Sequence, residues 1–224
     1  MKPSHPTRRH AAGIVPEGIE RPADVPPEIF GAALRTFYEQ RRLDMRALAA
    51  ELGIGRSSLY RKVRSRDHLL SAVLWFLARR AIVHALDATR ELSGPERVLA
   101  VISHFLHGIH GQPELRRLLQ EEPEAALRIL TSKQGDVQRH MIAAVDRLLA
   151  AEQTVAARQL TLDRGTLAYV IVRIGESFLY ADVIADNESD VDRAVEVIAR
   201  LLGVVHVPAA DAGSRAAGDT SRRR

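Results

Sequence analysis

The stretch AAELGIGRSSLYRKV, residues 49–63, is the part of the chain that most strongly indicates its fold. An apolar, alanine-rich segment reaches Gly53, where a left-handed backbone can end a helix. Gly55 can begin the next helix after a turn of a few residues. Two short helices joined so tightly must cross at a steep angle. The stretch therefore predicts a helix-turn-helix.

Apolar spacing extends this pattern in both directions. A first helix is predicted to begin near Pro27, and a second to have Asp44 as its N-cap. In the third helix, Leu59 and Val63 lie four residues apart, so both can pack against the first two helices. Ser65 can then cap a long fourth helix.

The third helix presents a polar face opposite Leu59 and Val63, where Arg56 lies above Tyr60. Residues 41–66 hold eight Lys or Arg against two Asp or Glu, although the whole chain has a net charge of only +4. Such side chains bind phosphates and base edges, so this face predicts binding to double-stranded DNA rather than a merely solvated charged surface. The residues expected to contact DNA are Arg46, Arg56, Ser57, Ser58, Tyr60, Arg61, Lys62 and Arg66.

The remainder of the chain repeats apolar residues at helical spacing without the alternation of strands, so the predicted fold class is all-α. The sequence SGPE, residues 93–96, predicts a helix start with a capping box formed by Ser93 and Glu96. Later helices are expected at about 113–120, 122–131, 136–152, 163–185 and 189–203, and their short links indicate a bundle. The predicted regions are a flexible arm (1–26), a helix-turn-helix domain (27–68), a helical domain (69–203) and a disordered tail (204–224).

Composition and motifs narrow the class of protein. The chain has no cysteine, its first ten residues lack the apolar core of a signal peptide, and its longest apolar run is about half of a bilayer span. A cytoplasmic protein without a membrane segment is therefore expected. The sequence contains no phosphate-binding glycine loop, nucleophile elbow or His-Glu-x-x-His motif, so neither enzymatic activity nor a cofactor is predicted.

Three histidines on the fifth helix are the nearest approach to a metal site. His104, His107 and His110 lie three residues apart, so two neighbouring histidines could bind one metal ion. The third would point away from the helix face that the other two share. No metal site is predicted from this spacing. A helical metal-dependent enzyme that uses His104 and His107 remains an alternative.

The stretch YVIVRIGESFLYAD, residues 169–182, combines an apolar stripe with a polar one. A polar stripe amid so much apolar surface needs water, a partner chain or a ligand. An Arg173–Glu176 pair on an exposed or dimeric face is the simpler interpretation, and contact with a ligand is the other. Aromatic residues elsewhere, Trp75 and Phe105 among them, could equally be core or pocket lining. The residues predicted to contact a ligand are Trp75, Phe105, Arg173, Glu176, Phe178 and Tyr180.

Residues 29–70 resemble the N-terminal domain of TetR-family transcriptional repressors. The reading helix of that family and its following turn carry Gly-Val-Ser-x-x-x-Leu-Tyr-x-x-Phe-x-x-Lys-x-x-Leu. At those places this chain has Gly53, Ile54, Gly55, Leu59, Tyr60, Val63, Arg66 and Leu69. Gly55, Val63 and Arg66 depart from the pattern. Glycine is still tolerated as an N-cap, valine is still apolar and arginine keeps the positive charge. The resemblance implies that Tyr60 and Arg66 grip phosphates and that Arg56, Ser57 and Arg61 lie nearest the bases.

Residues 113–202 resemble the C-terminal domain of the QsdR-type branch of the same family, above all in RILTSKQG, RIGESFLYADVIA and DRAVEVIARLL. That branch is associated with lactone signals. The resemblance implies a homodimer formed by the last two helices and a small-molecule cavity among helices four to eight. The implied protein is a repressor that binds an inverted-repeat operator and is released by a small hydrophobic effector, with a lactone as one candidate. An architectural DNA-binding protein without an effector remains the other alternative.

Overall fold

The structure is a computed structural model that describes residues 24–39, 41–132, 136–152, 162–185 and 187–204. Within those ranges the chain forms eleven helices and no strand, which confirms the all-α prediction. The helices are α1 (Pro27–Tyr38), α2 (Met45–Glu51), α3 (Arg56–Val63), α4 (Arg66–Ala88), α5 (Gly94–His110), α6 (Pro113–Glu121), α7 (Pro123–Thr131), α8 (Asp136–Ala151), α9 (Arg164–Leu179), α10 (Ala181–Ile184) and α11 (Val191–Leu202).

The predicted arm and tail lie almost wholly outside the described residues. At the boundary of the arm, Val25 is buried in the core. The carboxylate of Asp24 lies 2.9 Å from Nε2 of His68. These two contacts tie the start of the described chain to α4 and to the core, so the compact part of the protein begins before α1.

Local signals in the sequence set the ends of the first four helices. The Asp44 carboxylate accepts hydrogen bonds from the backbone N–H groups of Arg46 and Ala47, and these bonds lower the pKa of Asp44. Gly53 has a φ of 65°, the left-handed conformation that ends α2. The Ser65 hydroxyl accepts a hydrogen bond from the N–H of His68 at the start of α4. The predicted helix-turn-helix and its caps are therefore present.

Helix α3 is held by two side chains on one of its faces. Leu59 and Val63 are both fully buried, each at 0% exposure, in the same core as Ile29 of α1 and Leu69 of α4. Full burial of two such side chains contributes about 1.5–3 kcal/mol each. The opposite face of α3 is consequently directed away from the core.

Helix α4 belongs to both parts of the molecule. It packs against α1 and α3 on one side and against α5, α7 and α8 on the other. It is long and apolar enough to cross a membrane by length and composition, yet most of its apolar window is buried inside the protein. The long apolar sequence of α4 is therefore accounted for by its place in the core.

Helices α5, α8, α9 and α11 form the bundle of the C-terminal part. Helix α9 lies between α8 and α11, and α11 also packs on α5. Gly175 lets α9 approach α5 closely, because a Cβ at that position would lie 3.2 Å from Cδ2 of Leu106. The bundle predicted from helix lengths and short links is thus observed.

Two local predictions differ from the structure. Ser93 makes no side-chain cap at α5; instead Glu152, at the end of α8, accepts hydrogen bonds from the N–H of Gly94 and from Nη1 of Arg97. The Arg97–Glu152 pair is buried and 2.8 Å long, so it fixes α5 against α8. The predicted helix over 163–185 is broken at Tyr180, where the backbone leaves the helical conformation between α9 and α10.

Replacing Gly53 by alanine should lower the free energy of unfolding by about 1–2 kcal/mol, because an L-residue is strained at a φ of 65°. No neighbouring atom lies within 4 Å of the position that the new Cβ would take, so the cost is conformational and not steric. Urea denaturation monitored by circular dichroism measures the change.

Gly55→Ser is the matched control. Gly55 has a φ of −68°, which serine adopts without strain, and a serine hydroxyl at this N-cap can accept a hydrogen bond from α3. The stability of Gly55→Ser should equal or slightly exceed that of the wild type. Equal losses in the two variants would contradict the role assigned to the left-handed turn.

Candidate DNA-binding face and ligand cavity

The outer face of α3 carries the side chains predicted to contact DNA. Arg56, Ser57, Arg61 and Lys62 are exposed, and Ser58 and Tyr60 are half-buried at the edge of the same face; Arg46 is exposed on α2. None of Arg56, Arg61 and Lys62 forms an ion pair with a described residue. These three side chains therefore present positive charge to solvent without an ion pair to the described residues, and contact with DNA stays a prediction.

Arg56 and Tyr60 act as one unit on this face. The guanidinium carbon of Arg56 lies 5.6 Å from the centre of the Tyr60 ring, a distance typical of a cation–π contact. Stacking limits the freedom of the arginine, so less entropy is lost when it binds a base edge or a phosphate. The helical spacing of the two residues produces this contact directly.

Arg66 is placed differently from the other predicted DNA contacts. Its Nε donates to the backbone oxygen of Leu43 at 2.7 Å, and its Nη2 donates to Oε1 of Glu122 at 2.7 Å. Its side chain is only 20% exposed. Arg66 therefore serves as a link between the helix-turn-helix and the corner between α6 and α7, and its predicted phosphate contact would compete with that link.

Glu122 is the centre of this link. Besides Arg66, it lies 3.4 Å from Nε of Arg42, which precedes α2. A second ion pair joins Asp67 at the start of α4 to Arg128 of α7 at 2.7 Å. Charged contacts thus fasten the α6–α7 segment to the base of the helix-turn-helix.

A cavity of about 540 Å³ lies between the helices of the C-terminal part. Its wall is mostly apolar, with side chains from α4, α5, α8 and α9 such as Leu77, Ile102, Met141 and Ile171. A volume of this order and an apolar lining are typical of sites for small organic ligands. The cavity also touches Phe37 and Tyr38, so its wall includes the end of α1 in the helix-turn-helix domain.

The polar groups of the cavity are divided between an outer and an inner end. Arg80, His84 and His104 are exposed and mark the outer end, where the Tyr38 hydroxyl lies 3.3 Å from Nη1 of Arg80. The inner end is defined by Glu176 and Tyr180. The Glu176 side chain is 12% exposed and the whole Tyr180 residue 6% exposed. The lining thus combines exposed Arg80, His84 and His104 with the largely buried Glu176 and Tyr180, and it also includes Gln112 and Glu114.

Glu176 is held by two neighbours. Nε2 of Gln138 donates to both of its carboxylate oxygens at 3.1 and 3.0 Å, and Nη1 of Arg173 donates to Oε2 at 2.6 Å. Burial raises the pKa of Glu176, whereas the hydrogen bonds from Gln138 and the charge of Arg173 act in the opposite direction. Burial, and then the nearby Glu176 carboxylate, also raise the pKa of Tyr180, which stays a neutral hydrogen-bond donor.

The structure separates the six residues predicted to contact a ligand. Phe105, Glu176 and Tyr180 line the cavity. Trp75 does not line it: its ring packs on His140, with ring centres 4.7 Å apart. Phe178 packs against the core, and Arg173 is exposed and reaches the cavity only through its ion pair with Glu176. The Arg173–Glu176 pair of the simpler interpretation is therefore present, and contact of Phe105, Glu176 and Tyr180 with a ligand stays a prediction.

Sequence reasoning missed the outer cavity residues, namely Tyr38, Arg80 and His84. The orientation of each of these side chains depends on how α1 and α4 pack against the bundle. No sequence signal marked Arg80 or His84.

One histidine of the α5 cluster, His107, has protein partners for both ring nitrogens. Nδ1 of His107 lies 2.8 Å from the backbone oxygen of Ser103, and Nε2 lies 3.1 Å from a carboxylate oxygen of Asp192. His104 lines the cavity mouth. Among the described residues, no group of three His, Cys, Asp or Glu side chains is placed to hold a metal ion.

Comparisons with known proteins gave one family model that matches the C-terminal part and two solved structures that match most of the chain. Residues 93–203 match the family model described as "Tetracyclin repressor-like, C-terminal domain". The solved structure of the R. erythropolis transcriptional repressor QsdR from the TetR family is 29% identical, with a TM-score of 0.70, and the match covers 81% of this chain and 95% of that one. The multidrug binding protein EbrR complexed with imidazole is 23% identical, with a TM-score of 0.43, over 82% of this chain and 96% of that one. No curated protein matches the chain.

Replacing Glu122 by glutamine should lower the free energy of unfolding by about 1–3 kcal/mol, because Arg66 would remain largely buried beside a neutral partner. The same change should strengthen binding to DNA of any sequence, since one cation becomes available to a phosphate. The slope of the logarithm of the DNA-binding constant against the logarithm of the salt concentration should become steeper by about 0.9. Urea denaturation and fluorescence anisotropy at several salt concentrations measure the two effects.

Glu121→Gln is the control on the neighbouring residue. Glu121 is paired with Arg117 on the exposed surface of α6, so its loss should leave both the stability and the salt dependence nearly unchanged. An unchanged salt dependence in Glu122→Gln would mean that Arg66 does not exchange Glu122 for a phosphate.

Proposed function

The chain belongs to the TetR family of transcriptional regulators, and from that premise we propose that it is a cytoplasmic repressor that binds an inverted-repeat operator as a homodimer and is released by a small hydrophobic effector. The observation that supports this proposal is that one helix, α4, joins two sites. These are the cationic outer face of α3, which we call the reading face, and the apolar cavity. The resemblance noted in both halves of the sequence is confirmed at the level of the family.

Operator binding is supported by the geometry of α3. Its exposed arginines and hydroxyl groups can enter a major groove while Leu59 and Val63 remain in the core. Arg56, Ser57 and Arg61 would lie nearest the base edges, where arginine recognises guanine. Tyr60, Ser58, Lys62 and Arg46 would bind phosphates, which fix position without reading sequence.

A homodimer is supported by the outer surface of α9 and α10. Tyr169 and Ile184 are large and apolar, yet 49% and 58% exposed, and Arg173 and Ser177 lie on the same side of α9. A twofold axis through this surface would bury the apolar groups and present two copies of α3 to successive major grooves. We therefore assign this surface to the dimer interface.

Release by an effector is supported by the wall of the cavity. An occupant would contact Phe37 and Tyr38 of α1 and also the second half of α4. Such an occupant weakens operator binding only if it prefers an arrangement in which the two copies of α3 no longer fit successive major grooves. The largest factor by which operator affinity can fall is the ratio of its affinities for that arrangement and for the DNA-binding one. A lactone remains one candidate for the effector.

The alternatives have less support. An architectural DNA-binding protein would need no cavity of this size in contact with its DNA-binding domain. Members of a regulator family are typically not enzymes, and His107 of the metal-enzyme hypothesis is engaged by Ser103 and Asp192. Indifference of operator binding to every small molecule tested would favour the architectural alternative.

Titration of a labelled inverted-repeat operator from the region upstream of the gene should give tight, salt-sensitive binding by the wild-type protein.

Tyr60→Phe should weaken binding to all sequences by a similar factor of about three to ten, because it removes one hydrogen bond to a phosphate. Arg56→Ala should change which bases are preferred, and selection from a random library measures that preference. Equal affinity for the operator and for random DNA would refute operator recognition, and an unaltered preference profile would remove Arg56 as a base reader.

Tyr169→Asp should shift the protein from dimer to monomer, because it would place a charge within the apolar interface of α9. Sedimentation velocity measures the change in mass, and operator affinity should fall with it. Leu92→Asp is the matched control, since Leu92 is comparably exposed, at 44%, but lies on the turn after α4. Dimer formation by Tyr169→Asp at wild-type strength would show that the interface lies elsewhere.

A further inference from the structure

Buried polar atoms without a hydrogen-bond partner are concentrated between α4 and α8. Of the five such side-chain atoms in the described part of the chain, four belong to these two helices: Nε1 of Trp75, Nε of Arg79, Nδ1 of His140 and Nε of Arg147. We call these four residues the α4–α8 cluster. Native proteins pair nearly all of their buried polar groups, so such a concentration calls for a physical reason. None of the four residues lines the cavity, so the cluster is separate from the proposed effector site.

The register of α4 against α8 places two of these side chains in contact. The N–H of Asp136 donates a hydrogen bond to the Ser71 hydroxyl at 3.3 Å. Four residues further along both helices, the rings of Trp75 and His140 lie with their centres 4.7 Å apart. The two helices therefore run side by side in the same direction.

Both arginines of the cluster lie on the same faces as these rings. Arg79 follows Trp75 by one turn, about 6 Å along α4, and Arg147 follows His140 by two turns, about 10 Å along α8. Helical side chains incline toward the N-terminus of their helix, which for both arginines is the direction of the rings. Burial lowers the pKa of His140, and the nearby charge of Arg147 acts in the same direction. Two guanidinium groups, an imidazole and an indole N–H thus converge between α4 and α8.

The cluster carries positive charge that no described carboxylate balances. Arg79 and Arg147 are half-buried, and neither forms an ion pair or a hydrogen bond with a described residue. The two carboxylates of α8, those of Asp136 and Asp146, are already paired with other arginines at 2.7 Å. Partial burial of a guanidinium group without a counter-charge is costly. An anion from solution would provide that counter-charge.

The donors of the cluster match a phosphate group better than a carboxylate. Trp75 is 3% exposed, so its indole N–H lies at the base of the cluster and can donate only to a group held between the two helices. Four side chains can donate there, and a phosphate monoester offers three free oxygens where a carboxylate offers two. The double negative charge of phosphate also balances the two arginines, whose planar guanidinium groups can each bind two of its oxygens.

We propose that the α4–α8 cluster is a binding site for a phosphate group, free or carried by a small phosphate ester, held by Arg79, Arg147 and His140 above the indole N–H of Trp75. The site goes beyond the proposed function and does not depend on it, because its residues belong neither to the cavity nor to the reading face. An occupant would join α4 to α8 and so stabilise the folded protein.

The fluorescence of Trp75 tests this proposal, because Trp75 is the only tryptophan of the chain. The full-length protein would be titrated in phosphate-free buffer at constant ionic strength with inorganic phosphate, glycerol 3-phosphate and acetate. At least one of the two phosphate compounds should change the emission of Trp75 with a dissociation constant of about 1 mM or lower, and acetate should bind at least about tenfold more weakly. The compound that binds more tightly distinguishes a free phosphate from an ester. No change with either phosphate compound, or acetate binding of equal strength, overturns the proposal.

Variants of the two arginines assign the contacts. Arg79→Gln and Arg147→Gln should each weaken phosphate binding at least about tenfold, since each removes a charge and a pair of donors. Arg147→Lys keeps the charge but not the planar guanidinium group, and it should recover part of the lost affinity. Arg139→Gln is the matched control, because Arg139 is exposed on the same helix and paired with Asp136, and it should change the affinity by less than about twofold.

Thermal unfolding verifies that each variant is folded and gives a second measurement. Phosphate should raise the unfolding midpoint of the wild-type protein more than that of Arg79→Gln or Arg147→Gln. The two variants are independent, so if one does not fold the other remains a test. Wild-type phosphate affinity in a folded Arg79→Gln or Arg147→Gln refutes the assigned contact. Equal losses in Arg139→Gln and Arg147→Gln would show that phosphate responds only to net charge, and would refute the site.

Discussion

Burial of the first half of α4 is the constraint on which the rest of the structure depends. Leu69, Leu70 and Val73 are at most 2% exposed and pack beneath the helix-turn-helix, while the second half of the same helix forms one wall of the cavity. An α-helix of this length is stiff, and tightly packed interiors transmit displacement instead of absorbing it. The orientation of the reading face and the shape of the cavity are therefore set together, and this is the physical basis for linking DNA binding to a ligand.

Most of the helix-turn-helix could be predicted because its determinants are local. Asp44, Gly53 and Ser65 each act on backbone groups within a few residues, so the sequence around them contains the whole interaction. The start of α5 and the end of α9 could not be predicted in the same way. Glu152 replaces the expected Ser93 cap from 58 residues away, and Tyr180 ends α9 without a glycine or proline beside it. Both depend on which helices become neighbours in the fold.

The same distinction explains which parts of the candidate sites were found. The outer face of α3 follows from the burial of Leu59 and Val63, since a helix that buries one face exposes the other. The cavity depends on how seven helices enclose a space, and composition cannot tell Trp75, which packs on His140, from Phe105, which lines the cavity. The charge of Arg66 was evident in the sequence, but its partner Glu122 lies 56 residues away.

The position of Glu122 gives the two sites a connection besides α4. Helix α6 begins beside the cavity, where Glu114 and Leu115 contribute to the wall, and it ends next to Glu122. A helix of nine residues moves as a unit, so an occupant that displaces α6 at Leu115 also displaces the carboxylate that holds Arg66 and Arg42. Both of these arginines lie at the base of the helix-turn-helix, on either side of α2 and α3. Occupation of the cavity would therefore act on the same ion pair as the phosphate contact proposed for Arg66, and if the two events are coupled, each would alter the free energy of the other by an equal amount.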